Sequence, residues 1–142
     1  MNSISGAKIH WSFWVISVFM LLWNVMGGIN FIMQFSPEMV SSYRETEQAI
    51  IRGRPLWATV GFGISVFGGV LGCVLLILKR YLSFYIFIAS LVGTLVTVCY
   101  SLTLGLNLSV GELIGIIGMP IVISIFLVWF AKFSSGKGWI SA

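Results

Sequence analysis

The chain has 142 residues, 58% of them apolar and 8% charged, with a formal net charge of +4 and a mean hydropathy of +1.05. An ordinary soluble domain carries about a quarter charged residues, so this composition excludes a water-solvated globule. It also excludes a disordered chain, which needs low hydrophobicity and high charge.

A helix crossing a ~30 Å hydrocarbon core takes about 20 largely apolar residues. Four runs meet that requirement, at 11–35, 55–78, 81–104 and 113–133. They are continuous and too long for barrel strands, which run to about 10 alternating residues. The fold class that follows is all-α: a polytopic membrane protein forming one four-transmembrane-helix antiparallel bundle over residues 1–142. Short extramembrane helices are expected in the first loop, and a flexible cytoplasmic tail over 134–142.

The first span follows Lys8. Its apolar run exceeds the 7–15 residues of a signal-peptide core and no small-residue cleavage site follows it, so it is expected to be retained. Within it lie Trp23 near mid-span, Asn24, Gly27, Gly28, Asn30 and Gln34. At 100° per residue, Gly27, Asn30 and Gln34 share a sector, with Asn24 and Gly28 on its flank. Amides in hydrocarbon must find hydrogen-bond partners, so this face should point into the bundle. It could serve as interhelical glue or line a polar pocket opening outward beside Asn30 and Gln34.

In the first loop, Ser36-Pro37-Glu38 has the form of a helix start with proline at its first position. Ser42-x-x-Glu45 reads as a capping box, and Gly53 as the stop of the helix that follows. These short helices should lie across the outer mouth of the bundle. Arg52 and Arg54, with Glu45 or Glu47, are expected to pair at the surface; binding an anionic ligand is the other use open to them.

The second span is rich in small residues. Gly61, Ser65, Gly69 and Cys73 recur every fourth position, beside Gly68 and Gly72. Such stripes let backbones approach closely, either inside the bundle or along a homodimer seam. A tight Lys79-Arg80 turn leads into the third span, which carries Ser83, Ser90, Gly93, Thr94, Thr97 and Ser101. Hydroxyls of this kind can bond carbonyls of the preceding turn, and they are expected to supply partners for Asn24 and Asn30. In the fourth span Pro120 cannot donate to the Ile116 carbonyl and should kink the helix. Broken helices line binding sites in transporters. Glu112, at the outer start of this helix, favours the positive end of its dipole and is the acid available to a cation-coupled mechanism.

With the N-terminus inside, Lys8, Lys79, Arg80, Lys132 and Lys137 face the cytoplasm against Arg44, Arg52 and Arg54 outside. That bias follows the positive-inside rule, and the acids Glu38, Glu45, Glu47 and Glu112 all fall outside. Aromatic belts agree: Trp11, Trp14, Tyr81, Tyr85 and Trp129 mark one interface, and Tyr43, Trp57 and Tyr100 the other. Both termini are thus expected in the cytoplasm. A clustered basic face for nucleic acid is missing. Cys73 and Cys99 should differ in depth by roughly 20 Å, too far for a disulfide at its ~7 Å limit, and read as small apolar residues.

Catalysis finds little support. His10 is alone, with no carboxylate pair, no metal-ligand cluster and no nucleophile beside a base; no cofactor is implied. The candidate ligand-binding residues are Trp23, Asn24, Asn30, Gln34, Thr94, Thr97 and Glu112. Two functions remain open: transport or binding of a small neutral solute such as a sugar, and a non-catalytic accessory role in a larger membrane complex.

The run Leu22-Trp23-Asn24, Gly27, Gln34 and Arg54-Pro55-x-Trp57 resembles a widespread group of small bacterial membrane proteins often loosely labelled sugar transporters. Phe67-Gly68-Gly69, Gly72, Lys79-Arg80 and Ser90-Leu91-x-Gly93 continue the likeness over roughly the first hundred residues. The resemblance implies a four-helix protein of the bacterial inner membrane and is in keeping with sugar transport. Small multidrug transporters, which place a Glu in the first span, and the SWEET-type sugar transporters, with a Pro-Gln pair, match less well.

Overall fold

A computed structural model describes residues 9–141; Lys8 and Ala142, used above for orientation and tail, lie outside the described residues. Among the described residues, four helices are long and apolar enough to cross a membrane: α1 (Trp11–Met33), α4 (Leu56–Ile77), α5 (Leu82–Thr103) and the composite Val110–Gly136. Each matches an expected span to within three residues at either end. Between α1 and α4 lie the short helices α2 (Pro37–Val40) and α3 (Glu45–Arg52).

His10 caps the start of α1, its Nδ1 accepting the Ser12 backbone N–H at 3.2 Å. The lone histidine thereby satisfies one of the donors a helix start leaves free. Ser36 and Pro37 open α2 as the spacing indicated, although the Ser36 side chain makes no capping bond. The Ser42–Glu45 capping box does not form. Ser42 donates its hydroxyl to the Met39 carbonyl at 2.6 Å, closing α2 instead, and Arg44 occupies the N-cap of α3. Gly53 ends α3.

α1 packs on α4, α4 on α5, and α5 on α7 (Met119–Gly136). The small residues of α4 divide between two neighbours. Toward α5, a Cβ on Gly93 would lie 2.5 Å from the Gly61 carbonyl oxygen and 2.9 Å from the Ser65 nitrogen. Gly68 meets Ser90, and Gly72 meets the Phe87 ring. Toward α1, Gly69 lies beneath the Asn24 amide. Both stripes therefore serve packing within the bundle, where close backbone approach strengthens dispersion and polar contacts.

The composite last helix begins with α6 (Val110–Leu113), held by a capping box: Ser109 Oγ accepts the Glu112 N–H at 3.2 Å, and Glu112 Oε1 accepts the Ser109 N–H at 3.1 Å. A π-helical segment, Ile114–Gly118, follows, with the Met119 N–H bonded to the Ile114 carbonyl. The wider turn falls just before Pro120, which has no N–H to give; such bulges absorb a break in the α ladder.

At the end of the bundle carrying the Lys79-Arg80 turn, Phe13, Met20, Cys73, Leu76, Phe87, Leu127, Phe130 and Ala131 form the main core. The segment 134–142, expected to be flexible, is docked onto that core as far as residue 141. α7 runs on to Gly136, and Gly138 turns the chain back with φ 76°. Trp139 sets its ring edge-on to Phe13 and Phe133, and Ile140 is buried. Tyr81 donates its N–H to the Ser141 carbonyl at 2.8 Å, and Ser141 donates to the Lys79 carbonyl at 3.0 Å. The apolar Trp139 and Ile140 outweigh the Gly and Ser residues around them.

Candidate functional site

α1 and α7 meet at the Lys79 end, where Phe13 stacks on Phe130 at 5.9 Å. Away from that contact the helices leave a partly open cavity of about 480 Å³, lined by α1, α3, α4, α5, the π-helical segment and α7. Its volume falls within the roughly 300–1,000 Å³ common to small-molecule sites. Ile50, Ile51 and Glu47 of α3, with Arg54, line it beside Gln34 at the end of α1. Pro120 and Gly115 bring the irregular last helix to its wall.

Six of the seven candidate residues, Trp23, Asn24, Asn30, Gln34, Thr94 and Thr97, line this cavity. Glu112 does not. Its carboxylate accepts the Thr46 hydroxyl and the Ser109 N–H, so it ties α3 to the start of the last helix. Ser65, Ser90, Ser101 and Ser124 also reach the cavity. Ser124 was legible in principle, standing one turn beyond Pro120 on the same helical face.

The expected pairing of Asn24 and Asn30 with the hydroxyls of α5 does not form. Asn24 Nδ2 donates to the Met20 carbonyl at 2.8 Å and to Cys73 Sγ at 3.8 Å. Asn30 Oδ1 accepts the Tyr43 hydroxyl, joining α1 to the α2–α3 connection. The α5 hydroxyls that line the cavity are already engaged: Ser90 donates to the Ser65 carbonyl at 2.6 Å, Thr97 to that of Gly93 at 3.0 Å, and Ser101 to that of Thr97 at 3.1 Å. Thr94 donates to the Ser90 carbonyl at 3.0 Å. The Ser65 and Ser124 hydroxyls, 2.6 and 3.0 Å from Thr94 Oγ1, are therefore the donors to it. A hydroxyl has one hydrogen and two lone pairs. The deep wall has thus used its hydrogens and presents acceptors.

The rim differs. Gln34 Oε1 and Arg54 Nε are buried without hydrogen-bond partners, and the Arg54 guanidinium lies over the Phe62 ring, 5.1 Å from its centroid. Desolvation lowers the Arg54 pKa, and interaction with Tyr100 partly offsets this. The surface pairing expected for Arg54 is not made. Among the described residues the salt bridge is Arg44 Nε to Glu47 Oε1 at 2.7 Å, and that bond raises the Arg44 pKa. Burial, followed by the Glu47 charge, raises the Tyr43 pKa. Among the described residues, no three His, Cys, Asp or Glu side chains converge as metal ligands would.

No protein-family model, curated protein or solved structure matches the chain.

Proposed function

We propose that this integral membrane protein binds a small hydroxylated solute of the sugar class within its bundle and passes it across the bilayer. The observation that supports this reading is the 480 Å³ cavity, in which apolar walls carry convergent amide and hydroxyl groups. Interhelical glue accounts for the contacts among Ser65, Thr94 and Ser124 but not for the open space beside them. The bias of basic residues supports an orientation in the bacterial inner membrane with both termini in the cytoplasm. The α3 end of the cavity would then face outward. Pro120 and the π-helical segment supply a weak point in the last helix, of the kind that lines sites in transporters.

The test is uptake of radiolabelled sugars and polyols into proteoliposomes. Asn30→Leu and Gln34→Leu should abolish uptake while leaving expression and detergent-solubilised folding intact. Unchanged uptake in both variants would remove these residues from the site, and no uptake by wild type would remove transport.

A second reading, as an accessory subunit or homodimer, draws on the outer groove between α4 and α5, floored by Gly61 and Gly93 and lined by Trp57, Ile64, Val92 and Val96. Recovery of a stoichiometric membrane partner in mild detergent would favour it.

A further inference from the structure

The cavity carries an unanswered positive charge at its rim. Arg54 immediately precedes Pro55 and the start of α4, so its backbone is fixed at the edge while its side chain lies over Phe62 inside. Its Nε is buried with no partner. The acid lining the same cavity, Glu47, is bonded to Arg44 instead. A guanidinium partly desolvated without a counter-ion is unfavourable, and its planar fork matches a carboxylate or phosphate.

The remaining polar groups narrow the ligand further. Gln34 Oε1, also buried and unpartnered, requires a hydrogen-bond donor. Deeper in, Ser90, Thr97 and Ser101 have given their hydrogens to backbone carbonyls, so their free lone pairs can accept from a donor but offer none. A neutral sugar supplies hydroxyl donors but leaves Arg54 unpaired. A simple inorganic anion pairs Arg54 but leaves the acceptors bare.

We infer that the ligand is a hydroxy acid: a polyhydroxylated chain whose single carboxylate meets Arg54 and whose hydroxyls donate to Gln34 Oε1 and the α5 wall. This assignment rests on the solute-binding reading above and specifies its substrate class. The same anion-binding chemistry would be met by a phospholipid headgroup, which the test separates.

The experiment is calorimetric titration of the full chain with gluconate and with glucose, in a polyoxyethylene detergent free of sugar headgroups and again in phosphatidylcholine nanodiscs. Wild type should bind gluconate at least about tenfold more tightly than glucose in both settings. Arg54→Gln should erase that preference while keeping glucose binding, and Arg54→Lys, which retains charge without the fork, should keep part of it. Should Arg54→Gln fail to fold, the wild-type ratio and the Arg54→Lys variant decide alone. Equal binding of the two compounds by wild type, or a preference that survives Arg54→Gln, overturns the hydroxy-acid assignment and leaves solute binding standing. Binding of neither overturns both. A preference seen in detergent but lost in nanodiscs, with phospholipid copurifying with wild type and not with Arg54→Gln, overturns the assignment in favour of a lipid phosphate.

Discussion

The side-chain amide of Asn24 on α1 lies directly against the backbone of Gly69 on α4, where a Cβ would collide with it. The same amide donates to the Met20 carbonyl and to Cys73 Sγ, so one polar group seats two helices and forms part of the cavity wall. Gly69→Ala should force the amide out of its seat. We expect a loss of about 1–3 kcal/mol, the usual cost of overpacking, read as a lower unfolding midpoint in detergent. Gly115→Ala is the control: a Cβ there meets nothing within 4 Å, and its midpoint should stay close to wild type.

Pro120 and the π-helical turn before it should be separable from stability. In Pro120→Ala the new N–H can bond the Ile116 carbonyl, closing the turn toward ordinary α geometry. Unfolding should occur at the same temperature or higher. Gly115 and Ile116 should leave the cavity wall, and solute binding in calorimetry should weaken. Unaltered binding would show that the irregular turn does not shape the cavity.

The docked tail makes a prediction about stability away from the cavity. Ile140 is buried among the core residues shared with Phe13 and Phe130. Ile140→Ala should cost about 2–5 kcal/mol, as truncations of buried aliphatics do. Amide exchange of Ser141, whose N–H bonds the Lys79 carbonyl, should accelerate in parallel. A tail that exchanged at free-chain rates in wild type would contradict the docking.

The cap over the cavity should respond to alkaline pH. Tyr43 has a pKa raised above its ordinary value of 10.0 by burial and then by Glu47, and its neutral hydroxyl donates to Asn30. A raised folded-state pKa means that this contribution is fully present below the unfolded value. It is lost as pH rises through the folded one. The Tyr43 phenolate band, isolated by the difference spectrum against Tyr43→Phe, should therefore emerge above pH 10. Emergence below pH 10 would contradict the half-buried, hydrogen-bonded placement.

The architecture was legible in the sequence because a bilayer leaves a backbone few choices: long apolar runs must be helices that satisfy their own hydrogen bonds. Helical periodicity likewise placed Gly27, Asn30 and Gln34 on one inward sector, with Asn24 on its flank. Their partners were not legible, because these depend on the depth and rotation of neighbouring helices. Asn24 bonded its own helix and a cysteine, and Asn30 a tyrosine from the loop. Glu112 looked like an isolated acid near a span, yet local capping and Thr46 absorb it. Arg54 looked like one more loop cation. Only the pairing of Glu47 with Arg44 leaves it without an acid at the cavity rim. The tail was misread because its glycines and serines masked two apolar residues with a core to join.

Entry of polar ligands into the bundle is tested most directly by the reactivity of a thiol placed inside it. Thr97 lines the cavity, whereas the native Cys73 is buried and Cys99 sits at an exposed position in α5. Thiol modification follows access and thiolate character, so Thr97→Cys should react with a small water-soluble methanethiosulfonate at least about tenfold faster than the wild-type background. Saturating gluconate should slow that reaction. A Thr97→Cys thiol that reacts no faster than wild type would contradict the account.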